Sequence, residues 1–420
     1  MKINLTLCIF SLSFFFHIQA QVNWVKYPSN PVVVKQNFLT EFYAIGQPAV
    51  IMENDTFKMW YVACGLDHKG RVLYATSVNG STWTKYGGGA VIMDVDSAGS
   101  WDDTWTDTPE IVHGPNGYLL YFFGDSITDV QPDPQAPTSS ALGVATSPDG
   151  INWTRYSGNP ILTKGDTGSW ENFWIESPAV LWDSATSQYM MWYSGVNKNW
   201  LIQTGLATSP DGLNWTKYPG NPVITYGPPQ SYDDMWVAVP SVIKKDGQFE
   251  MWYNAFNSIA AWDTTFICFA TSTDGINWTK YAGNPLLNTF TPPSDTTVDK
   301  GGPWACDVVY DPNENNYKMW YETSAGFCYA TSGVTTGNSF LSPFEKEDIL
   351  VYPNPSGSFV NLLLPVSGSE MKIFNASGNV VFEKTLKSGH EVVTLDLPGG
   401  IYFLKVTMGN SVLTKKIIIQ

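Results

Sequence analysis

Positive charge is scarce in this chain. Its 420 residues carry 23 Lys plus Arg against 38 Asp plus Glu, a net charge of −15. A nucleic-acid partner needs a basic stripe that displaces counterions from phosphates, and there is none, so nucleic acid is not expected as a partner. The same deficit disfavours a polyanionic substrate and leaves neutral ligands as the better fit. Histidine is rarer still, at 4 residues. Of the 5 cysteines, Cys8 lies in an N-terminal apolar stretch. Cys64, Cys268, Cys306 and Cys328 remain, too few for a disulfide scaffold and without histidines to help them hold zinc. No cofactor is expected. The acidic surface admits a structural calcium ion, although no loop of alternating oxygen ligands is present.

Long apolar runs and helical periodicity are also missing beyond the N-terminus, so no transmembrane segment is expected. The exception is MKINLTLCIFSLSFFFHIQA, residues 1–20. Lys2, an apolar core reaching about His17, and a terminal Ala20 make it a signal peptide.

What the chain has instead is repetition. SPDGINWTRYSGNPI from Ser147, SPDGLNWTKYPGNPV from Ser209 and STDGINWTKYAGNPL from Ser272 are near copies, with a weaker one, SVNGSTWTKYGGGAV, from Ser77. Trp83, Trp153, Trp215 and Trp278 mark them at spacings of 70, 62 and 63 residues. Such a period has to be explained before any local reading. Each copy follows a strand beginning near proline (QPAVIM, TPEIVH, SPAVLW, VPSVIK, with CDVVYD last), an apolar MWY-like strand, and a strand ending in ATS. Asp-Gly or Asn-Gly then makes a tight turn, because these residues accept positive φ. Each unit is thus four short strands rich in Val, Tyr, Trp and Thr. Five MWY-like strands predict an all-β, five-bladed β-propeller over residues 21–333. The fifth unit lacks its NWTKY strand, and NWVKYPSNPVVV at residues 23–34 supplies it, closing the ring from the N-terminus. Asp149, Asp211 and Asp274 are turn formers in this reading. After a polar linker at 334–348, alternating strands with Gly-Asn and Gly-Gly turns predict a small β-sandwich over 349–420.

The innermost strands of a propeller line its channel, so candidate chemistry is numbered from the proline that opens each one: Pro48, Pro109, Pro178 and Pro240, with Cys306 in the fifth. Seven places earlier stand Glu41, Asp102, Glu171, Asp233 and Asp299. Five-fold use suggests a scaffold role, while a catalyst needs asymmetry. Glu41 is nevertheless kept as a candidate base and Asp233 as a substrate-binding candidate. Four places earlier come Trp105, Trp174 and Trp236, and Trp304 adds a further ring. Gathered at a channel mouth, these offer flat apolar faces to sugar rings, with core packing as the alternative. Two places earlier the symmetry breaks into Gly46, Asp107, Glu176, Ala238 and Trp304. Asp107 and Glu176 sit in adjacent blades. A close pair of carboxyls pushes its pKa values apart, so that one donates a proton while the other stays charged. Glycosidic cleavage uses that division of labour. Glu110 and Asp307, one place after the reference, point away in a regular strand and turn inward only at a distortion.

YPNP, FNASGNVV, GGIYFLKV and the Lys-Lys-Ile ending closely resemble the C-terminal sorting domain of proteins exported by the Bacteroidetes type IX system. That resemblance implies the type IX machinery as a partner, with a secreted or surface-attached product. The SPDGxNWT and GNP segments resemble the five-bladed glycoside hydrolases of the arabinanase/xylosidase and invertase/levanase groups. The resemblance implies that Glu176, in ESPAV, is the general acid and that Asp107, in DTPEI, is the modulating acid. The Asp that those families place in blade one is replaced here by AIGQPAV, and Glu41 or Asp307 is left to supply the base. The expectation is a secreted glycoside hydrolase acting on a neutral polysaccharide or oligosaccharide. A non-catalytic glycan-binding propeller and a structural surface protein are the alternatives, and phosphorolysis is weaker for want of a cationic phosphate site.

Overall fold

The computed structural model describes residues 23–37, 39–114, 117–126, 140–258, 265–288, 298, 302–332, 350–352, 359–363, 370–386, 390–408 and 411–419. The proposed signal peptide, the 334–348 linker and Asp299 therefore lie outside the described residues. Within them the fold is almost entirely β, with one 3-10 turn at Tyr86–Gly88.

The described residues from 23 to 332 build five similar antiparallel units. In the first, Ala44–Glu53 pairs with Thr56–Cys64, that strand with Gly70–Ser77, and the last with Thr84–Lys85. The first strands of the others are Trp105–Gly114, Trp174–Asp183, Trp236–Lys245 and Cys306–Asp311. In unit five the N-terminal Trp24–Lys26 pairs with Gly326–Ser332, giving a four-stranded sheet assembled from both ends of the region. Parallel bridges, Gly70 to Trp105 and Ile202 to Trp236, join units one to two and three to four into larger mixed sheets. The five first strands contact one another in the order one, two, three, four, five and back to one.

The repeated words of the sequence have identifiable jobs. The MWY strands are buried over most of their length, and Trp60, Trp192, Trp252 and Trp320 are wholly inaccessible. The indole of Trp60 donates to the Gly150 carbonyl in the next unit's Asp-Gly turn at 2.8 Å, Trp192 does the same to Gly275, and Trp320 to Gly80. Tyr121 uses its hydroxyl on Gly212. Unit five has no such turn, and Trp252 packs edge-on against the N-terminal Trp24 instead. Within the turns the Ser147 hydroxyl accepts from the Gly150 N–H while Asp149 accepts from Ile151 and Asn152. Asp211 and Asp274 repeat this. The asparagine of each GNP braces both backbone groups of one residue in a third strand: Asn159 on Val144, Asn221 on Leu206, Asn284 on Phe269 and the N-terminal Asn30 on Tyr329.

Beyond residue 350, a three-stranded and a four-stranded antiparallel sheet share one core that includes Val360, Leu362, Ile373, Leu404, Val406 and Ile417. Among the described residues no cysteine forms a disulfide, and Cys268, Cys306 and Cys328 are buried. Among the described residues no helix is long and apolar enough to cross a membrane.

Candidate active site

A repeated distortion builds the site. In units one to four the register slips between Gly46 and Ala49, Asp107 and Glu110, Glu176 and Ala179, and Ala238 and Ser241. At each bulge the residue before proline has positive φ: Gln47 53°, Thr108 45°, Ser177 51° and Val239 49°. None is glycine, so each site stores strain of about 1–3 kcal/mol, and bulges of this kind re-aim neighbouring side chains. Unit five, with Cys306 in place of proline, shows no register shift.

Between units, these bulges touch. The Ser177 N–H donates to the Thr108 hydroxyl at 3.2 Å, which sets the adjoining residues Asp107 and Glu176 beside one another. Both are half-buried. Burial pushes Glu176 up to about 7, and the charge of Asp107 adds to the shift. Asp107 itself is raised to about 6 by burial, opposed by the Thr108 N–H, which donates to it at 2.5 Å. Both acids are thus raised by burial, and Glu176 carries the added effect of its neighbour's charge.

A third carboxyl joins them that the sequence reading missed. Glu322 follows MWY in unit five, where the other units carry Val62, Phe123, Ser194 and Asn254. Its Oε2 accepts from the Gln47 N–H at 3.0 Å. A Cβ on Gly46 would stand 2.6 Å from that oxygen. Burial raises Glu322 to about 7, the Gln47 N–H opposes, and the charge of Asp107 again adds. The signal lay in the sequence as the single acid among five equivalent positions.

One level deeper are Glu110 and Asp307, both half-buried. Glu110 is three residues from Asp107, but the bulge pairs the two with Tyr121 and Phe123, which are two residues apart, so both acids face the same side of the sheet. Glu110 accepts from Val180 N–H at 3.0 Å, while Asp307 accepts from Val50 N–H at 2.6 Å and from the Ser241 hydroxyl at 2.7 Å. Burial and then the charge of Asp307 push Glu110 well above the ordinary range, and burial raises Asp307 to about 6. The two line a cavity of about 250 Å³ whose other walls are mostly aliphatic, among them Val50, Ile111, Val180 and Val308, with Tyr310 the one aromatic ring. With the Val308 N–H at 2.9 Å, Asp307 is held by three donors at the level below Asp107 and Glu176.

Glu41 does not join the site, and this corrects its candidacy as a base. Its side chain is wholly buried against the Lys85 ammonium at 2.6 Å and accepts from the Tyr61 hydroxyl and from Gln36 and Asn37 N–H. Burial raises its pKa, and these bonds together outweigh it and hold the carboxylate below its usual range. The same arrangement recurs as Asp102 with Arg155, Glu171 with Lys217 and Asp233 with Lys280. The basic partner is each time the Lys or Arg of TKY or TRY, so the acid seven places before proline ties the entry of one unit to its outer strand. Asp233 is corrected on the same ground.

The tryptophans divide. Trp236 is a core residue: it is buried, stacks near Phe256 at 4.5 Å, and donates its indole N–H to the Trp200 carbonyl. Trp304 lies half-buried against it at 5.6 Å. Trp105 packs on Gly70, where a Cβ would stand 2.5 Å from its ring. Trp174 stacks on Phe123 at 5.1 Å, and its N–H, without a formed hydrogen bond, faces Glu176 and lowers that group's pKa. Among the described residues no group of three or more His, Cys, Asp or Glu gathers to hold a metal ion.

Comparison with known proteins agrees with both parts of the chain. An uncharacterized protein of Mycobacterium tuberculosis is 27% identical over 242 residues, 54% of this chain and 72% of its own length. A glycoside hydrolase of known structure superposes with a TM-score of 0.56 at 22% identity, over 74% of this chain and 93% of its own. A glycosyl hydrolase from Bacteroides ovatus gives 0.54 at 17% identity, over 73% and 92%. At these identities the likeness is one of fold. Residues 350–420 match the secretion system C-terminal sorting domain, and this chain is accordingly a secreted or surface-associated protein.

Proposed function

We propose that the chain is a secreted glycoside hydrolase built on a five-bladed propeller. In this reading residues 21–333 form the propeller, 1–20 direct secretion, and 349–420 carry the product through the type IX machinery. The cyclic contact of the five first strands and the likeness in fold to hydrolases support the architecture. The observation that carries the activity is the adjacency of Asp107 and Glu176, with Glu176 raised to about 7 by burial and by its neighbour's charge.

The chemistry follows from that difference. Near neutral pH Glu176 retains a proton to give to the leaving glycosidic oxygen. Asp107, ionised at lower pH, stabilises the positive charge that develops on the sugar ring. Trp174, Trp304 and Trp105 supply apolar faces for a neutral glycan. The test is reducing-sugar release by the purified protein across a panel of neutral polysaccharides, with Glu176→Gln alongside. Release that the substitution abolishes is the expected result. Retention on a polysaccharide without release would replace hydrolysis with glycan binding.

A further inference from the structure

Hydrolysis needs a second carboxylate besides the acid, to activate water or attack carbon. Unit one offers none at the level of Asp107 and Glu176, because Gly46 stands there. We infer that Glu322, reaching over from unit five, is that carboxylate. The inference rests on the reading of Asp107 and Glu176 as a hydrolytic pair.

The argument is steric first. Gly46 has no positive φ that would require glycine, and the equivalent places in units two to four carry Asp107, Glu176 and Ala238. What a side chain at 46 would meet is the Glu322 carboxyl, 2.6 Å from the Cβ position. Glu322 thus occupies the volume that residue 46 would fill, and the three neighbouring places one, two and three each hold a carboxyl. A structural role alone does not account for its charge. The Gln47 N–H that Glu322 accepts has its counterpart in Val239 N–H of unit four, and there the hydroxyl of Ser194, the residue equivalent to Glu322, accepts at 2.8 Å. A serine suffices for that bond. Glu322 fills the place of unit one, and the first strands contact one another as one, two and three, so Asp107 of unit two stands between Glu322 and Glu176, and its charge raises both. An acid and a base with a group between them suit the inverting arrangement, in which room is left for water.

The step balances with water and glycan alone. Glu322 takes a proton from water as the water oxygen bonds to the anomeric carbon. The bond from that carbon to the glycosidic oxygen breaks, and the Glu176 proton goes to the departing oxygen. Glu322 finishes protonated and Glu176 charged, and solvent exchange restores both.

Glu322→Ser separates the roles, since it copies Ser194. The full-length protein is assayed on the polysaccharide that the wild type degrades, with melting temperature measured in parallel. Glu322→Ser is expected to melt no lower than wild type and to lose at least about 100-fold in kcat with KM little changed, the scale of a lost acid–base group. Gly46→Ala, whose methyl collides with the carboxyl, is expected to lose activity as well. Gly46→Asp combined with Glu322→Ser returns a carboxyl to the same volume and is expected to recover at least tenfold over Glu322→Ser. Glu322→Ser with more than a tenth of wild-type kcat overturns the inference and leaves the hydrolytic reading standing. A wild type inactive on every polysaccharide overturns both.

Discussion

Replacing Glu41 with glutamine separates scaffold from chemistry at the five-fold acid position. The carboxylate is fully buried, and its ammonium partner on Lys85 is 4% exposed. Four donors converge on it: Lys85 at 2.6 Å, Tyr61 at 2.9 Å, Gln36 at 2.7 Å and Asn37 at 2.9 Å. Glutamine keeps the shape, but its amide nitrogen cannot accept from two backbone N–H groups, and the ammonium is left buried without its counter-charge. Breaking one side of a buried pair costs about 3–5 kcal/mol. Each kcal/mol lowers the melting temperature of a domain of this size by roughly 2–4 °C, so Glu41→Gln is expected to melt about 6–20 °C below wild type at pH 7. The sign with pH is fixed by the lowered native pKa. The stabilisation is present above the unfolded value of 4.5 and is lost as pH falls through the native value, so the two melting curves converge in acid. Circular dichroism melts at pH 7 and pH 3.5 measure this, and glycan cleavage at 20 °C should be unchanged per folded molecule. A Glu41→Gln protein that melts within 2 °C of wild type, or that is folded and inactive, would refute the reasoning.

Other consequences follow from the same geometry. Glu176→Gln removes a carboxylate whose native pKa is raised to about 7, so the stability lost by wild type as pH rises from 4.5 through 7 is not lost by the variant. It should be more stable than wild type by about 1–3 kcal/mol at pH 8 and equal to it near pH 4, measured by urea unfolding. Asp107→Asn removes the charge that helps raise Glu176, so the alkaline limb of the kcat/KM profile should move to lower pH in whatever activity remains. Trp192→Phe deletes the 2.8 Å bond from the indole to Gly275 that ties unit three to unit four, and should cost about 1–3 kcal/mol by the same unfolding assay. Removing residues 23–34 strips the outer strand from unit five and bares the edge of Gly326–Ser332, so light scattering should show association where the full chain is dispersed.

The fold was legible because its signals are local and repeated. Asp-Gly turns, period-2 strands and the GNP asparagine each act within one unit, and five copies average out the accidents of any one. The same repetition showed that the acids at Glu41 and its equivalents are a common fitting, which the Lys or Arg partners explain. The site was half legible. Asp107 and Glu176 stand out because they break symmetry in a first strand. Glu322 breaks symmetry too, but in the second strand of unit five, and its approach to Gly46 of unit one spans 276 residues of chain. No local rule connects the two. Glu110 was hard to place for the opposite reason: a regular alternation sends it away from Asp107, and only the bulge, whose positive φ falls on Thr108 with no glycine to announce it, turns both the same way. Trp236 shows the limit of residue type, since an indole reads the same whether it stacks on Phe256 or on a sugar.

The central claim is that water is added across a glycosidic bond at Glu176. The most direct measurement is mass spectrometry of the products formed in water enriched in oxygen-18, by wild type and by Glu176→Gln, on a polysaccharide that the wild type degrades. One heavy oxygen at each new reducing end with wild type, and no product with the variant, is the result this account predicts. Cleavage without label, or undiminished label from Glu176→Gln, would contradict it.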